Sequence, residues 1–293
     1  TMYKTEYEKD FSLQTLNSGL FPVFLGYTNG CSILIPRKCF EEVGYFDEKL
    51  KIANDYDMWF RLFKKCKTRF ISKVLIKYRF HDLQGTKTVA EDIRVVESGK
   101  IWLAAIEKLH DKDVEEFDVD VFNFYFGLSK RMADDKRVKA SEAAGKKAKA
   151  YYKKNTPSVS VIMPCYNSEE YIKEAVDSIL EQTYANFELI IVDDSSIDKT
   201  WEIIRKCESQ DYRIISSKNL YKKGISGAMN TGLDLSKGLY ITRMDSDDIS
   251  LPNRAESELH LLLKGYDIVG SCIGEFVSSP DDIIGYRSVP LEH

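Results

Sequence analysis

From residue 158 onward, short apolar runs alternate with segments of helical periodicity, the pattern of βα units stacked on a parallel sheet. The runs at 159–163, 187–192, 212–216 and 239–244 are the predicted strands. Between the first two, Tyr171, Ile172, Ala175, Val176, Ile179 and Leu180 recur at helical spacing over 168–182, with Ser168 placed to serve as N-cap. Pro252 opens a further helix that runs to about residue 264.

The segment 90–154 reads differently. It is rich in Ala, Lys, Glu and Asp, contains no Pro, and predicts several helices. Ile101, Trp102, Ala105, Ile106 and Leu109 give its first part an apolar face that needs a packing partner. Residues 137–154 are so basic and Ala-rich that an exposed connector helix is expected, a solvated face being favoured over a membrane-surface role. Residues 1–88 form a third region, with a strand-like 31–35, a helix-like 55–65 and an apolar strand over 74–79. The predicted organisation is therefore 1–88, a helical connector at 89–156 and the βα region at 157–290. Leu291, Glu292 and His293 look like a tag remnant.

Composition narrows the class. The 293 residues are 43% hydrophobic and 30% charged with a formal net charge of -4, which suits a globular chain able to bury a sizeable core. No basic excess exists to bind nucleic acid. Six scattered cysteines without CxxC spacing argue against a disulfide framework and structural zinc, and predict a reducing compartment. No apolar stretch reaches bilayer length, and the polar start at Thr1 lacks a signal-peptide core. The expected location is the cytoplasm, the inner face of the membrane included.

In a parallel α/β sheet, ligands bind beyond the carboxyl ends of the strands, where loops and helix N-termini gather. Three predicted strands end in candidate chemistry: Pro164, Cys165, Tyr166 and Asn167 after the first, Asp193 to Ser196 after the second, and Asp245 to Asp248 after the fourth. Two acidic clusters at neighbouring strand ends repel unless a cation or donor groups stand between them, so a divalent metal is expected. In an extended segment Asp245 and Asp247 project together while Ser246 and Asp248 turn elsewhere. Magnesium or manganese suits such a clamp, with one or two carboxylates and substrate phosphate completing the shell. The competing reading is an acidic turn that only closes a strand; its place beside a second acidic strand end favours function. Cys165 has no histidine near it in sequence, so no nucleophilic role is expected.

These residues carry a resemblance. Residues 159–167 (VSVIMPCYN), 178–184 (SILEQTY), 187–196 (FELIIVDDSS) and 243–248 (RMDSDD), in that order, resemble family 2 glycosyltransferases. The resemblance implies an α/β fold of the GT-A (Rossmann-like) type: a mixed, mainly parallel sheet with helices on both faces, here with the helical connector added. It implies that Pro164, Tyr166 and Asp194 line the nucleotide base, that Asp245 lies near the ribose and diphosphate, and that Asp247 ligates the metal. Asn230, in 227–232 (GAMNTG), matches a family asparagine near the diphosphate. Met229 stands where the pattern often has arginine, and Ser195 where glycine often follows the acidic pair.

Residues 31–47 (CSILIPRKCFEEVGYFD) and 53–62 (ANDYDMWFRL) resemble the acceptor side of the same family. There Asp55 falls where the family's catalytic base stands, with Asp57 as the fallback, and His81 falls where a histidine can complete the metal shell. A carboxylate suits the base because it can take the acceptor's hydroxyl proton.

In the family this acceptor half follows the nucleotide half, whereas here it precedes it. The two motif sets are complementary, which implies a permuted domain or a piece of a tandem enzyme. Docking of 1–88 on 157–290 is expected, within one chain or between two as a swapped homodimer. The expected activity is metal-dependent, inverting transfer of a sugar from a nucleotide diphosphate sugar, uridine-linked, to a hydroxyl of a glycan, lipid-linked or protein-linked acceptor. The alternatives are a nucleotide-sugar-binding fragment without turnover, a sugar nucleotidyltransferase, and an interaction protein acting through the connector. The second alternative lacks support at 164–170, which offers neither glycine nor lysine for a phosphate loop.

Overall fold

The computed structural model describes residues 19–26, 28, 30–70, 75–77, 89–117, 119–277 and 279–287. The chain divides into two compact units, residues 1–151 and 152–293.

The first unit is helical: α1 (Phe21–Leu25), α2 (Arg37–Val43), α3 (Asn54–Lys65), α4 (Glu91–Lys108), α5 (Asp111–Glu115) and α6 (Val121–Asp134), with α7 (Val138–Lys154) carrying the chain across the boundary. Met58, Trp59, Leu62 and Phe63 form one stripe of α3 and are buried, as their spacing predicts. Phe24 of α1 packs against Phe60 of α3, Trp102 of α4 and Phe124 of α6 with ring centroids 5.2, 5.8 and 5.5 Å apart. The apolar face around Trp102 thus finds its partner in the first region of the chain, and buried rings of this size dominate local packing energy.

Two expectations change here. Residues 137–154 are not solvated all round, because Ala140, Ala144 and Ala148 are buried and Ser129 and Ser141 exchange hydroxyl-to-carbonyl hydrogen bonds of 2.9 Å between α6 and α7. Residues 31–35 form no strand: a 3-10 turn covers Gly30–Ser32, and Ile33 and Ile35 pack against the Met58 and Trp59 cluster. Of the strand expected over 74–79, residues 75–77 have no regular structure, and the rest lies outside the described residues, as do His81 and 291–293.

The second unit is built on strands β1 (Val159–Cys165), β2 (Phe187–Asp193), β3 (Ile214–Lys218) and β4 (Tyr240–Arg243), interleaved with α8 (Ile172–Leu180), α9 (Thr200–Gln210) and α10 (Ile225–Leu235). α11 (Arg254–Leu262) follows, then an antiparallel pair of β5 (Ile273–Glu275) with β6 (Gly285–Arg287). The four strands are parallel, in the order β3-β2-β1-β4, with Val159 opposite both Phe187 and Tyr240.

Period-two alternation sends Val161, Met163, Leu189 and Ile191 to the face covered by Ile172, Val176 and Ile179 of α8 and Ile204 of α9. Ile190 and Val192 point to the other face, against Ala228 of α10. With helices on both faces, β1 and β2 are buried along their whole length. The close approach of α10 to β1 needs glycine, since a Cβ on Gly232 would lie 2.3 Å from Ile162 Cγ2.

The first residues of two elements shift from expectation for local reasons. β3 starts at Ile214 because Asp211 folds back on Arg213, accepting from its backbone N–H (2.9 Å) and its Nη2 (2.8 Å), and spends 211–213 on a turn. α8 starts at Ile172 without a side-chain cap, and Ser168 is not its N-cap. The Ser168 hydroxyl is paired with that of Ser246 at 2.8 Å instead.

Candidate functional site

The parallel sheet brings the loops after β1, β2, β3 and β4 to one edge. Backbone pairing carries the sheet into them: Asp194 N–H donates to Cys165 O (2.8 Å), Asn219 N–H to Asp193 O (2.9 Å) and Met244 N–H to Ile162 O (3.0 Å). Pro164, Tyr166, Asp194, Asp245 and Asp247 lie at or just beyond the carboxyl ends of β1, β2 and β4, while Asn230 lies within α10.

Each acid has its own environment. Asp193 is fully buried and pairs with Lys218 Nζ at 2.7 Å. Asp194 accepts from Asn219 Nδ2 (2.6 Å) and from the Gly224 N–H (2.8 Å), which ties the loop after β3 to the end of β2. Asp245 is gripped by Arg243 through Nε to Oδ1 (2.8 Å) and Nη2 to Oδ2 (3.0 Å). Asp247 is exposed and, among the described residues, makes no hydrogen bond or ion pair within the chain. Burial, with the charges of Asp247 and Asp245 added, raises the Asp248 carboxyl above its ordinary value against the opposing pull of Arg243 and Arg254.

Residues 245–248 therefore depart from the extended geometry expected of them. Asp248 N–H reaches back to Asp245 O at 3.4 Å in a turn, and Ser246 is buried at the contact with Ser168. Asp248 thus joins the acidic cluster rather than turning away. The competing reading of an acidic turn is right about the backbone, yet the turn presents carboxylates at a strand end where loops converge.

The loops after β1 and β2 are locked together. Asn167 Oδ1 accepts from the Ile197 N–H (3.0 Å), and the Asn167 N–H donates to Ser196 Oγ (2.9 Å). Asn167 (φ 50°) and Ser195 (φ 68°) both occupy the left-handed region, which asparagine tolerates and serine disfavours. That conformation accounts for the glycine that resembling sequences often carry at the Ser195 position. Cys165 is buried, donates to Val192 O at 3.4 Å, and has its thiol pushed up by burial and by Asp193, which fits the absence of a nucleophilic role. Asn230 is exposed on α10.

The donor set can be tested for a metal. Among the described residues no group of three His, Cys, Asp or Glu side chains could by itself enclose an ion. Magnesium and manganese need no such cage, since phosphate oxygens and water can fill most of the shell around one or two carboxylates. An exposed Asp247 with no hydrogen bond or ion pair among the described residues, beside the Asp248 carboxyl that burial and like charges raise above its ordinary value, fits that arrangement.

In the first unit, Asp55 is exposed in the first turn of α3. Asp57 is engaged, accepting from Arg61 Nη2 (2.6 Å) and Nε (3.1 Å) while Arg61 donates to Val43 O (2.7 Å) and Tyr45 O (2.9 Å). Asp57 thus orients an arginine that clasps the α2–α3 link. The backbone ahead of Asp55 is held by Glu97 of α4, which accepts from the N–H groups of Lys51, Ile52 and Ala53. Sequence reasoning gave no role to Asn219, Lys223, Arg243 or Glu97, although Arg243 opens the 243–248 motif.

The family model "Glycosyl transferase family 2" matches residues 160–287. An uncharacterized glycosyltransferase of Rickettsia bellii is 32% identical over 263 residues, 89% of this chain and 37% of that protein. The Escherichia coli UDP-Glc:alpha-D-GlcNAc-diphosphoundecaprenol beta-1,3-glucosyltransferase WfgD is 41% identical over 130 residues, 41% of this chain and 51% of that protein. Among solved structures, S. aureus TarS in complex with UDP aligns with 30% identity over 36% of this chain and 32% of that one, at a TM-score of 0.34. The chain thus spans about two fifths to one half of the length of these two curated relatives. Residues 160–287, in the second unit, are thus the part that the chain shares with glycosyl transferase family 2.

Proposed function

We propose that the second unit is the donor half of a GT-A-type glycosyltransferase that binds a nucleotide diphosphate sugar, uridine-linked, with Mg2+ or Mn2+. The observation that carries this reading is the convergence of Tyr166, Asp194, Asn219 and Asp247 on the carboxyl-end loops of adjacent parallel strands. Pro164 and Tyr166 offer an apolar and aromatic wall for a base, and Asp194, already a hydrogen-bond acceptor, lies in the next loop. Asn230 is a donor available to the diphosphate, and Asp245 is held by Arg243 toward the same strand end. A divalent ion held by Asp247 supplies charge neutralisation for the departing diphosphate. His81 is proposed as its further ligand.

Asp55 is the proposed base for the acceptor hydroxyl, because it is exposed while Asp57 is committed to Arg61. Attack by the hydroxyl opposite the departing phosphate inverts the anomeric carbon. The E. coli relative, a UDP-Glc:alpha-D-GlcNAc-diphosphoundecaprenol glucosyltransferase by name, supports a UDP-linked donor and a lipid-linked sugar acceptor.

The test is a panel of UDP-glucose, UDP-N-acetylglucosamine and GDP-mannose scored by thermal shift with Mn2+. At least one UDP-sugar is expected to raise the melting temperature, and the Asp247→Ala variant is expected to lose that shift. Stabilisation by GDP-mannose alone contradicts the uridine assignment, and no shift with any donor contradicts the site.

A further inference from the structure

The loop between β3 and α10 is fixed on both sides of residue 223. Asn219 Nδ2 donates to Asp194 Oδ1 (2.6 Å) and to the Lys222 carbonyl (3.3 Å), and the Gly224 N–H donates to Asp194 Oδ2 (2.8 Å). Between these anchors the exposed Lys223 lays its ammonium 4.2 Å from the ring centroid of Tyr166, a side chain that is itself 47% exposed.

Three cations near these strand ends are held by carboxylates: Lys218 by Asp193, Arg243 by Asp245 and Arg254 by Glu258. Lys223 forms no ion pair among the described residues. Among the described residues its ammonium is engaged by an aromatic face alone, a contact that is weak at an exposed position.

We propose that Lys223 is a donor-binding residue that exchanges partners, leaving the Tyr166 ring when a nucleobase stacks there and engaging the diphosphate oxygens of the same ligand. This rests on the donor-site reading of the second unit. An ammonium and a base cannot share one ring face, so stacking on that face displaces Lys223. Its pinned backbone keeps the released cation within a side chain's reach of the converging loops, where a diphosphate brings the negative charge that it lacks. A charge-assisted contact to phosphate outweighs the surrendered ring contact. Lys223 therefore favours nucleoside diphosphates over nucleosides twice, by holding the phosphates and by competing with a base that arrives without them.

The experiment is titration of wild type, Lys223→Met and Lys223→Arg with UDP by calorimetry and with uridine by ligand-observed NMR, in Mn2+. Because Lys223 is exposed, circular dichroism is expected to superimpose for all three. Lys223→Met is expected to bind UDP about tenfold more weakly and uridine about two- to fivefold more tightly, with Lys223→Arg recovering most of the UDP affinity. Unchanged UDP affinity in Lys223→Met, or a parallel fall for UDP and uridine, overturns the exchange while leaving the donor site standing. A wild type that binds neither ligand removes the donor site and the exchange with it.

Discussion

Glu188 is the point at which the fold that presents the site can be tested most sharply. It sits near the start of the buried β2 strand at 2% exposure, and its Oε1 accepts from Ser160 Oγ (2.6 Å), Lys237 N–H (2.5 Å) and Gly238 N–H (3.3 Å). One carboxyl group thereby ties β1, β2 and the link from α10 into β4, the strand that delivers Asp245 to Asp248. Glu188→Ala removes all three bonds. Gly238 keeps a second acceptor in Ser160 Oγ at 2.8 Å, so the main loss falls on the Lys237 N–H and the Ser160 hydroxyl.

Each of the two stranded donors costs about 1–2 kcal/mol, and the vacated side-chain volume adds about 1 kcal/mol, for a total of about 3–5 kcal/mol. With a urea slope of about 2 kcal/mol/M, the midpoint of the sheet unit falls by about 1.5–2.5 M. Urea unfolding followed by the fluorescence of Trp201, which lies in this unit, reads the change. Glu188→Gln retains an acceptor at Oε1 and is expected to lose less than half as much. A Glu188→Ala variant within about 0.5 kcal/mol of wild type refutes the claim that this side chain holds the α10–β4 link.

Three further outcomes follow from local geometry. Ser195→Gly relieves a left-handed serine at an exposed position and is expected to stabilise the sheet unit by up to about 1 kcal/mol in the same urea experiment, whereas Ser195→Val destabilises it. Gly232→Ala places a methyl 2.3 Å from Ile162 Cγ2 and is expected to cost about 1–3 kcal/mol, so a neutral result refutes the close helix–strand contact. Glu97 is held below its ordinary 4.5 chiefly by the Lys51 N–H, with Ile52 and Ala53 adding to it. A depressed carboxyl stabilises the fold above its ordinary value and loses that contribution as pH falls through the folded one. Thermal unfolding should accordingly show Glu97→Gln less stable than wild type at neutral pH, with the gap closing below pH 4.5; a gap independent of pH contradicts it.

The parallel sheet was legible because β1 and β2 are buried on both faces, which leaves near-continuous apolar runs in the sequence. The strand-end residues were legible for the same reason, since a parallel sheet sends all its carboxyl ends to one edge. What pattern could not show was how side chains compete for backbone and for each other. Ser168 has the chemistry of an N-cap, but its hydroxyl is taken by Ser246 from a loop 78 residues away. Asp248 was expected to turn away from its neighbours because an extended backbone was assumed, and the turn at 245–248 brings it back.

The lysines of α7 suggested a solvated connector, while the alanines spaced between them let α6 approach closely, and composition does not distinguish these outcomes. The apolar run at 31–35 was too short to separate a strand from irregular chain packed on a core. Asp57, paired with Arg61, and Asp55, left exposed, are indistinguishable as letters two apart on one helix.

The central claim is that the loops after β1, β2, β3 and β4 form a metal-assisted nucleotide-sugar site. Calorimetric titration with UDP, with and without Mn2+, on wild type and Asp247→Ala tests it most directly. The account predicts binding that strengthens at least tenfold with Mn2+ in wild type and shows no metal effect in Asp247→Ala, a difference of about 1.4 kcal/mol or more. Equal UDP affinity with and without metal in both proteins, or no binding in either, contradicts it.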